Sequence, residues 1–307
     1  MIKNKKKSLA PILLFTYRRY SNLKKTIDSL KKNYGYNNHE LYIFSDGPKN
    51  KNEIHQIKKV RKYLNKITGF KKKKVIIRRK NIGLTKNITS GISQIIAIKK
   101  KVIVLEDDII LSKNFLNYMN YCLSEYYNEK KVWHINGWNY NFNLPNIKEN
   151  TFFWRGMHCW GWGTWENRWK KYKRNPTFLV KNWSKKKINE FNYDGAFNFW
   201  SQVERNQKKI INTWAIFWYS SIFKNHGICL SPLKSLTRNI GYDKFSTNDP
   251  NLNNIQKNIL VKKKIKFIFS NKIIENKIIY NSIKKNLKLR VRLKSKIKFL
   301  LRNFFQL

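Results

Sequence analysis

Three acids stand side by side in a chain that has few. Glu106, Asp107 and Asp108 belong to a set of only 17 acidic residues, against 65 Lys and Arg. They follow Val102-Ile-Val-Leu105, an apolar run that reads as a strand buried on both faces. Three carboxylates at the carboxyl end of such a strand repel one another unless a cation or a bound ligand offsets their charge. In open α/β sheets that strand end is also where ligands bind. A solvated acidic turn before the next helix is the plainer alternative. The pattern favours a divalent-metal site holding a phosphorylated ligand, because hard oxygen ligands suit Mg2+ or Mn2+ bridging a carboxylate to phosphate.

A second concentration of side chains lies further on. Residues 152–169 hold five Trp and three Gly in eighteen positions, among them Trp160, Trp162 and Trp165. Glycine between tryptophans suits a tight loop in which flat rings approach a ligand, and sugar rings offer apolar faces to such aromatics. An aromatic core beside an irregular loop is the competing possibility for any single Trp. The cluster as a whole reads as an acceptor site.

The elements that must position these residues follow from periodicity. Leu9 to Thr16 reads as a buried strand, and Ser21 as the cap of a helix with Leu23, Ile27 and Leu30 inward. Leu41–Phe44 is a second strand running into the turn Ser45-Asp46-Gly47-Pro48. A helix over 53–65 and a strand at Val75–Ile77 come next. Asn81-Ile-Gly-Leu84 then leads to a helix capped by Thr85. After the acidic strand, 112–127 reads as helix. Strands alternating with helices imply βαβ units and a mainly parallel sheet. No GxGxxG loop follows the first strand and no P-loop occurs, which argues against a dinucleotide-dependent dehydrogenase or a nucleoside triphosphatase. From Val132 the periodicity is lost. Asn212–Trp218 opens a helix-like stretch with Trp214 and Trp218 on one face, and 231–243 reads as a short strand and loop.

The formal charge of +48 fits a nucleic acid, an anionic membrane or a phosphorylated substrate. Abundant Lys, Ile and Asn throughout show that part of the charge is compositional bias. No nucleic-acid-binding motif occurs, and the aromatics cluster with glycine instead of interleaving with Lys and Arg, so nucleic acid is excluded as the expected partner. Cys122, Cys159 and Cys229 are odd in number and widely spaced, which argues for a reducing compartment. The apolar run 9–17 is too short for a span and reads as a strand, not a signal peptide. Past 251 the chain is Lys-, Ile- and Asn-rich. Leu287, Leu289, Val291 and Leu293 alternate with basic residues, and Ile297, Leu300, Leu301, Phe304 and Phe305 recur at helical spacing. Such a basic amphipathic terminus fits a membrane surface or a helix docked on the body.

Five stretches in order resemble glycosyltransferases of the GT-A fold. They are Ile12-Leu-Leu-Phe-Thr-Tyr-Arg-Arg19, Phe44-Ser-Asp-Gly47, Asn81-Ile-Gly83, Val104 to Ser112 with Asn114-Phe115, and Trp160-Gly-Trp-Gly-Thr-Trp165. The likeness spans residues 8–248 and is to bacterial family-2-like enzymes, which are similar to N-acetylglucosaminyltransferase I. It implies an α/β, Rossmann-like, mainly parallel sheet flanked by helices. Residues 1–250 would form the GT-A domain, with a nucleotide-sugar half at 8–130, an aromatic-rich acceptor half at 131–250 and a basic extension at 251–307.

The resemblance implies roles as well. Asp108 would ligate Mn2+ or Mg2+, while Glu106 and Asp107 would contact the donor sugar, its ribose or metal-bound water. Thr16, Arg19, Asp46, Asn81, Gly83 and Lys86 would bind the donor, Asp46 at the uracil-ribose part and Arg19 near the diphosphate. Trp160, Trp162 and Trp165 would line the acceptor site. Where the eukaryotic relative carries a catalytic Asp in a Trp-Asp-Asp-Trp segment, this chain reads Trp214-Ala-Ile-Phe-Trp218. Ala215 cannot accept a proton, so Glu166, then Asp194, then Glu204 are the candidate bases. The expected activity is inverting, metal-dependent transfer of a hexose or N-acetylhexosamine, from a UDP-sugar to a cell-surface glycan or glycolipid precursor such as lipopolysaccharide. The expected place is the cytoplasmic face of the membrane, held peripherally at an anionic surface. A polyanion-binding protein and a donor-binding chain without activity are the alternatives.

Overall fold

The computed structural model describes residues 8–145, 147–241 and 265–289. The first half alternates strand and helix. It runs β1 (Ile12–Thr16), α1 (Tyr20–Lys31), β2 (Glu40–Ser45), α2 (Ile54–Lys66), β3 (Lys72–Ile77), α3 (Leu84–Lys99) and β4 (Lys101–Glu106). A short β5 (Ile109–Leu111) and α4 (Phe115–Glu125) follow. The second half is less regular: β6 (Val132–Asn136), β7 (Thr151–Trp154), β8 (Trp162–Trp165), α5 (Glu166–Trp169), α6 (Pro176–Asn182), α7 (Lys185–Phe191), α8 (Trp200–Gln207), α9 (Ala215–Lys224), β9 (Ile228–Pro232) and β10 (Thr237–Asn239). A last helix, α10, covers 277–289.

Among the described residues, eight strands form one sheet in the order β3-β2-β1-β4-β8-β6-β9-β7. β1 to β4 are mutually parallel. β8 is antiparallel to both of its neighbours, β6 and β9 are parallel, and β7 closes the edge antiparallel to β9. This is a mixed, mainly parallel α/β sheet flanked by helices, the GT-A fold. The buried runs Ile12–Phe15 and Val102–Leu105 have helices on both faces, which is why they read as continuous apolar segments.

One sheet crosses residue 130, because β8 returns to pair with β4 from the far side of the chain. Trp162 lies opposite Val104 and Trp165 opposite Lys101. This pairing has no local signature, and the aromatic stretch read as a loop is in part a central strand. Two expected caps also differ. α1 begins at Tyr20 with Arg19 as the cap, and α3 begins at Leu84 after Gly83, whose φ of 78° suits glycine. Thr85 instead donates to the Asn212 carbonyl at 2.8 Å and so ties α3 to the loop before α9.

The described part of the C-terminal extension packs on the body. Phe267 and Phe269 stack on Tyr118 and Tyr121 of α4, and Asn276 donates its amide to the Phe153 carbonyl beside edge strand β7. α10 buries Ile279, Tyr280, Ile283 and Leu287. The expected apolar positions from Val291 to Phe305 lie outside the described residues, as do Tyr242 and Asp243. Among the described residues no helix is long and apolar enough to cross a membrane.

Candidate active site

The order β3-β2-β1-β4 means that the chain moves outward from β1 to β3 and then returns to β1's other side with β4. The crevice between the carboxyl ends of β1 and β4 is therefore a topological switch point, where loops diverge and leave room for a ligand. The acidic triplet and the Thr16–Arg19 stretch both open into it.

Asp107 closes this junction. Its Oδ2 accepts from Thr16 Oγ1 at 2.7 Å and from the Tyr17 amide at 3.0 Å, and its carbonyl accepts from Thr26 Oγ1 at 2.9 Å. Asp108 faces Arg19, with Nη1 3.1 Å from Oδ2. The Asp108 carbonyl accepts from the Ile240 amide at 2.8 Å, the continuation of the small β5–β10 ribbon. Gly241 packs closely here, and a Cβ at that position would displace the Asp108 carboxylate and the Arg19 guanidinium. Glu106 ends β4. Burial foremost, then the charges of Asp108 and Asp107, push its carboxyl up to about 8, while Arg19 pulls it down. Three carboxylates share a partly buried place at this strand end, a setting that suits a cation. Among the described residues no group of three ligating side chains is preformed. A single carboxylate completed by a donor's phosphates fits Mg2+ or Mn2+ better than a dedicated protein cage would.

The other proposed donor residues are brought together, but largely on one another. Asp46 Oδ1 accepts from the amides of Gly47 and Ile82 at 2.8 and 3.0 Å, and its Oδ2 from the Gly83 amide at 3.0 Å. Asn81 Nδ2 donates to the Gly47 carbonyl at 2.9 Å. A Cβ at Gly47 would strike the Lys80 backbone, so the two loops touch closely. Lys86 is exposed on the first turn of α3.

Glu53 was missed in the sequence, although acids are scarce enough to have flagged it. It accepts from Tyr17 Oη, from Arg18 Nη1 at 2.8 Å and from the Lys49 amide at 2.8 Å, joining the β1 and β2 exits. Burial alone would raise its carboxyl, but these partners together hold it below the ordinary range. Arg61, also missed, donates to the carbonyls of Asp46 and Arg78 at 3.3 and 2.8 Å.

Four expectations are corrected by position. Trp162 and Trp165 are 0 % exposed. As residues three apart on strand β8 they point to opposite faces of the sheet and are core. Trp162 stacks with His134 and Trp214, and Trp165 donates to the Leu123 carbonyl at 2.8 Å. Trp160 alone of the three is half-exposed, packed edge-on against Trp138. Glu166 follows β8 where it meets the amino end of β4, accepting Lys100 and Lys170 at 3.4 and 2.8 Å. It stands roughly 20 Å from the acidic strand end, the length of β4 at about 3.3 Å per residue. Asp194 is committed elsewhere. It accepts from Tyr280 Oη and Lys284 Nζ at 2.9 and 3.0 Å, with Arg155 at 3.7 Å, anchoring α10. Glu204 is exposed on α8.

The β8-β6-β9-β7 side is built from rings. Residues 155–161 cross the sheet between β7 and β8, and the Cys159 thiol there is pushed up by burial and by the charges of Glu106 and Asp108. The crossing loop therefore flanks the acid end. Trp218 Nε1 donates to His134 Nδ1 at 3.1 Å, so His134 donates from Nε2 to the His158 carbonyl at 3.0 Å. Burial pushes both histidines down to about 3.

Residues 12–125 match the profile of Glycosyl transferase family 2. The match runs from the start of β1 to the end of α4. No curated protein is significantly similar in sequence. Among solved structures it is similar to TarS of S. aureus, at 18 % identity and TM-score 0.33 over 47 % of this chain and 24 % of TarS. A TarS fragment, 1–349, gives 12 % identity and TM-score 0.42 over 74 % and 59 %. The mannosyltransferase PcManGT from Pyrobaculum calidifontis, in complex with GDP-Man and Mn2+, gives 7 % and 0.39 over 73 % of each chain. The chain thus spans about a quarter of TarS. The assignment of fold rests on its own strand order.

Proposed function

We propose that this chain is an inverting, divalent-cation-dependent transferase that moves a hexose or N-acetylhexosamine from a UDP-sugar to a glycan or lipid-linked precursor of the cell surface. The convergence of Thr16, Tyr17 and Arg19 with Asp107 and Asp108 across the β1/β4 crevice is the observation that carries this reading. Residues 8–130 would serve the donor and 131–250 the acceptor, with 251–307 an extension that meets an anionic membrane surface. The kinship with N-acetylglucosaminyltransferase I belongs to the same proposal.

Asp108 would hold the cation, Mn2+ or Mg2+, with the donor diphosphate as the remaining ligand set. When bound, that cation supplies electrostatic stabilisation of the leaving nucleoside diphosphate. Arg19 would exchange its contact with Asp108 for the diphosphate, for which a guanidinium fork is well matched. Asp107 would hold the Thr16–Tyr17 turn open to the ligand. Asp46, Asn81 and Gly83 would shape the loop beside the nucleoside, and Lys86 would lie on its solvent side. Trp160 would offer the acceptor a ring face. A base for the acceptor hydroxyl would have to stand at the carboxyl end of β4, within hydrogen-bond reach of the transferred proton.

The test is calorimetric titration of UDP into the purified protein with and without Mn2+, for the wild type and Asp108→Ala. Binding that needs Mn2+ and weakens at least about 100-fold in the variant is expected, equivalent to losing about 3 kcal/mol. UDP binding unaffected by the substitution would sink the assignment.

A further inference from the structure

The covering of edge strand β7 leaves a surface with an unusual make-up. Residues 265–289 contain six lysines and one acid, Glu275. Glu275 is taken up by Arg155, whose Nε and Nη2 lie 2.8 and 2.9 Å from its two oxygens. Asp194, the other acid against this segment, is held by Tyr280 and Lys284. The negative charge of this side is thus spent on attaching the segment, and the outward lysines are left with isoleucines for neighbours. Ile274 and Ile278 are 60 % and 64 % exposed. On α10 the outward ridge opposite Ile279, Ile283 and Leu287 carries Ile278, Lys285 and Leu289, by helical spacing. A shallow groove beside it is lined by Asn281, Lys284, Lys285, Lys288 and Leu289.

We infer that this face seats the enzyme on an anionic lipid bilayer, Ile274 and Ile278 entering the acyl boundary while Lys285 and Lys288 meet lipid phosphates. Charge complementarity selects an anionic partner. The isoleucines select a bilayer over a soluble polyanion, since exposed branched aliphatics gain from leaving water and gain nothing from a hydrated phosphate chain. Nucleic acid would call for exposed rings on which bases stack, and the ridge has none among its outward residues. The segment's rings face inward instead: Phe267 and Phe269 pack on α4, and Tyr280 is buried under Arg155. The attachment through Glu275 and Asp194 makes the membrane face rigid with the acceptor side, because Arg155 opens the 155–161 crossing that carries Trp160. This specifies the membrane part of the proposed function and is independent of the donor chemistry.

The experiment is co-sedimentation of the full chain with phosphatidylcholine vesicles, with or without phosphatidylglycerol, for three proteins: the wild type, Ile274→Asp/Ile278→Asp, and Lys285→Glu/Lys288→Glu. The wild type should bind only the anionic vesicles and release as salt rises. Each double variant should lose about tenfold in partitioning. UDP titration of the same preparations should be unchanged, which shows the variants folded. Wild-type behaviour of both variants, or no binding of the wild type to anionic vesicles, overturns the inference. So does loss in the lysine variant alone, which would indicate a soluble polyanion. Vesicle binding as expected in a protein that ignores UDP would leave the membrane face standing and remove the donor reading instead.

Discussion

On the β3-β2-β1-β4 side of the sheet, loops are fixed by charged side chains bonded to backbone groups. Asp46 gathers three amides, Asp107 ties Thr16 and Tyr17, Glu53 joins the β1 and β2 exits, and Arg61 spans two carbonyls. On the β8-β6-β9-β7 side the same task falls to rings. Trp162 stacks on His134 and Trp214, Trp154 contacts His158 and Tyr193, and Trp138 packs against Tyr140, His158 and Trp160. Buried polar atoms without a partner among the described residues occur on both sides, Asn22 Nδ2 on the first and Trp138 Nε1, His158 Nε2 and Trp162 Nε1 on the second. The first side is built to manage charge and the second to fill volume. Substitutions should therefore act through binding on one side and through stability on the other.

The largest effect should come from emptying the ring-packed side. Trp162→Ala removes a fully buried indole from the centre of the sheet and should cost about 5 kcal/mol, at the upper end for such truncations, because β8 is pinned between two strands and cannot collapse. Urea unfolding would read it as a lowered midpoint. Asp108→Ala, by contrast, should move the midpoint little while abolishing UDP binding. Equal losses of stability in the two variants would erase the distinction between the sides.

The same contrast explains what could be read in advance. β1, β4 and α3 were legible because burial on both faces, or on one helical stripe, leaves a periodic trace in Ile12–Phe15, Val102–Leu105 and Ile88–Ile96. The acidic strand end was legible because it is local. β8 was not, since Gly161 and Gly163 beside tryptophans look like a loop, and its pairing with β4 joins residues some sixty positions apart. That one omission displaced Glu166 as well. A residue following a strand antiparallel to β4 must emerge at β4's amino end, away from the triplet. Asp46 was found but its bonds were not, because three amides from two loops converge on it only after folding.

A second effect follows from the two buried histidines. The unfolded chain takes up protons at His134 and His158 below about pH 6.5, whereas the folded chain holds both neutral down to about 3. With more protons bound in the unfolded state, stability falls as pH falls, across the window from about 6.5 to 3. At about 1.4 kcal/mol per pH unit for each group, lowering pH from 6.5 to 5 should cost about 4 kcal/mol at the two histidines and regain about 2 kcal/mol at Glu106, which the folded chain keeps protonated up to about 8. Thermal melts between pH 8 and 5 should peak near 6.5 and fall on both sides, on the alkaline side because Glu106 must ionise as pH approaches 8. His158→Gln, which cannot titrate, should leave His134 and Glu106 to cancel and so flatten the limb below 6.5; an unchanged slope would place the acid sensitivity outside the ring-packed side.

The smallest effect should be at Glu166, and its smallness is informative. Lys170 foremost, with Lys100, holds its carboxyl below the ordinary range, so it stays ionised and paired at the protein surface. Glu166→Gln keeps the shape and removes the charge. A general base contributes about 10²- to 10⁴-fold to turnover, and a residue at the opposite end of β4 contributes none of it. Transfer measured with a labelled UDP-sugar should therefore stay within about twofold of wild type, a change of less than half of 1 kcal/mol in the barrier. A fall of 100-fold or more with an unchanged melting temperature would mean that β8 leaves β4 during catalysis and carries Glu166 to the acid end. The sheet order that separates the charged side from the ring-packed side would then describe only the resting enzyme.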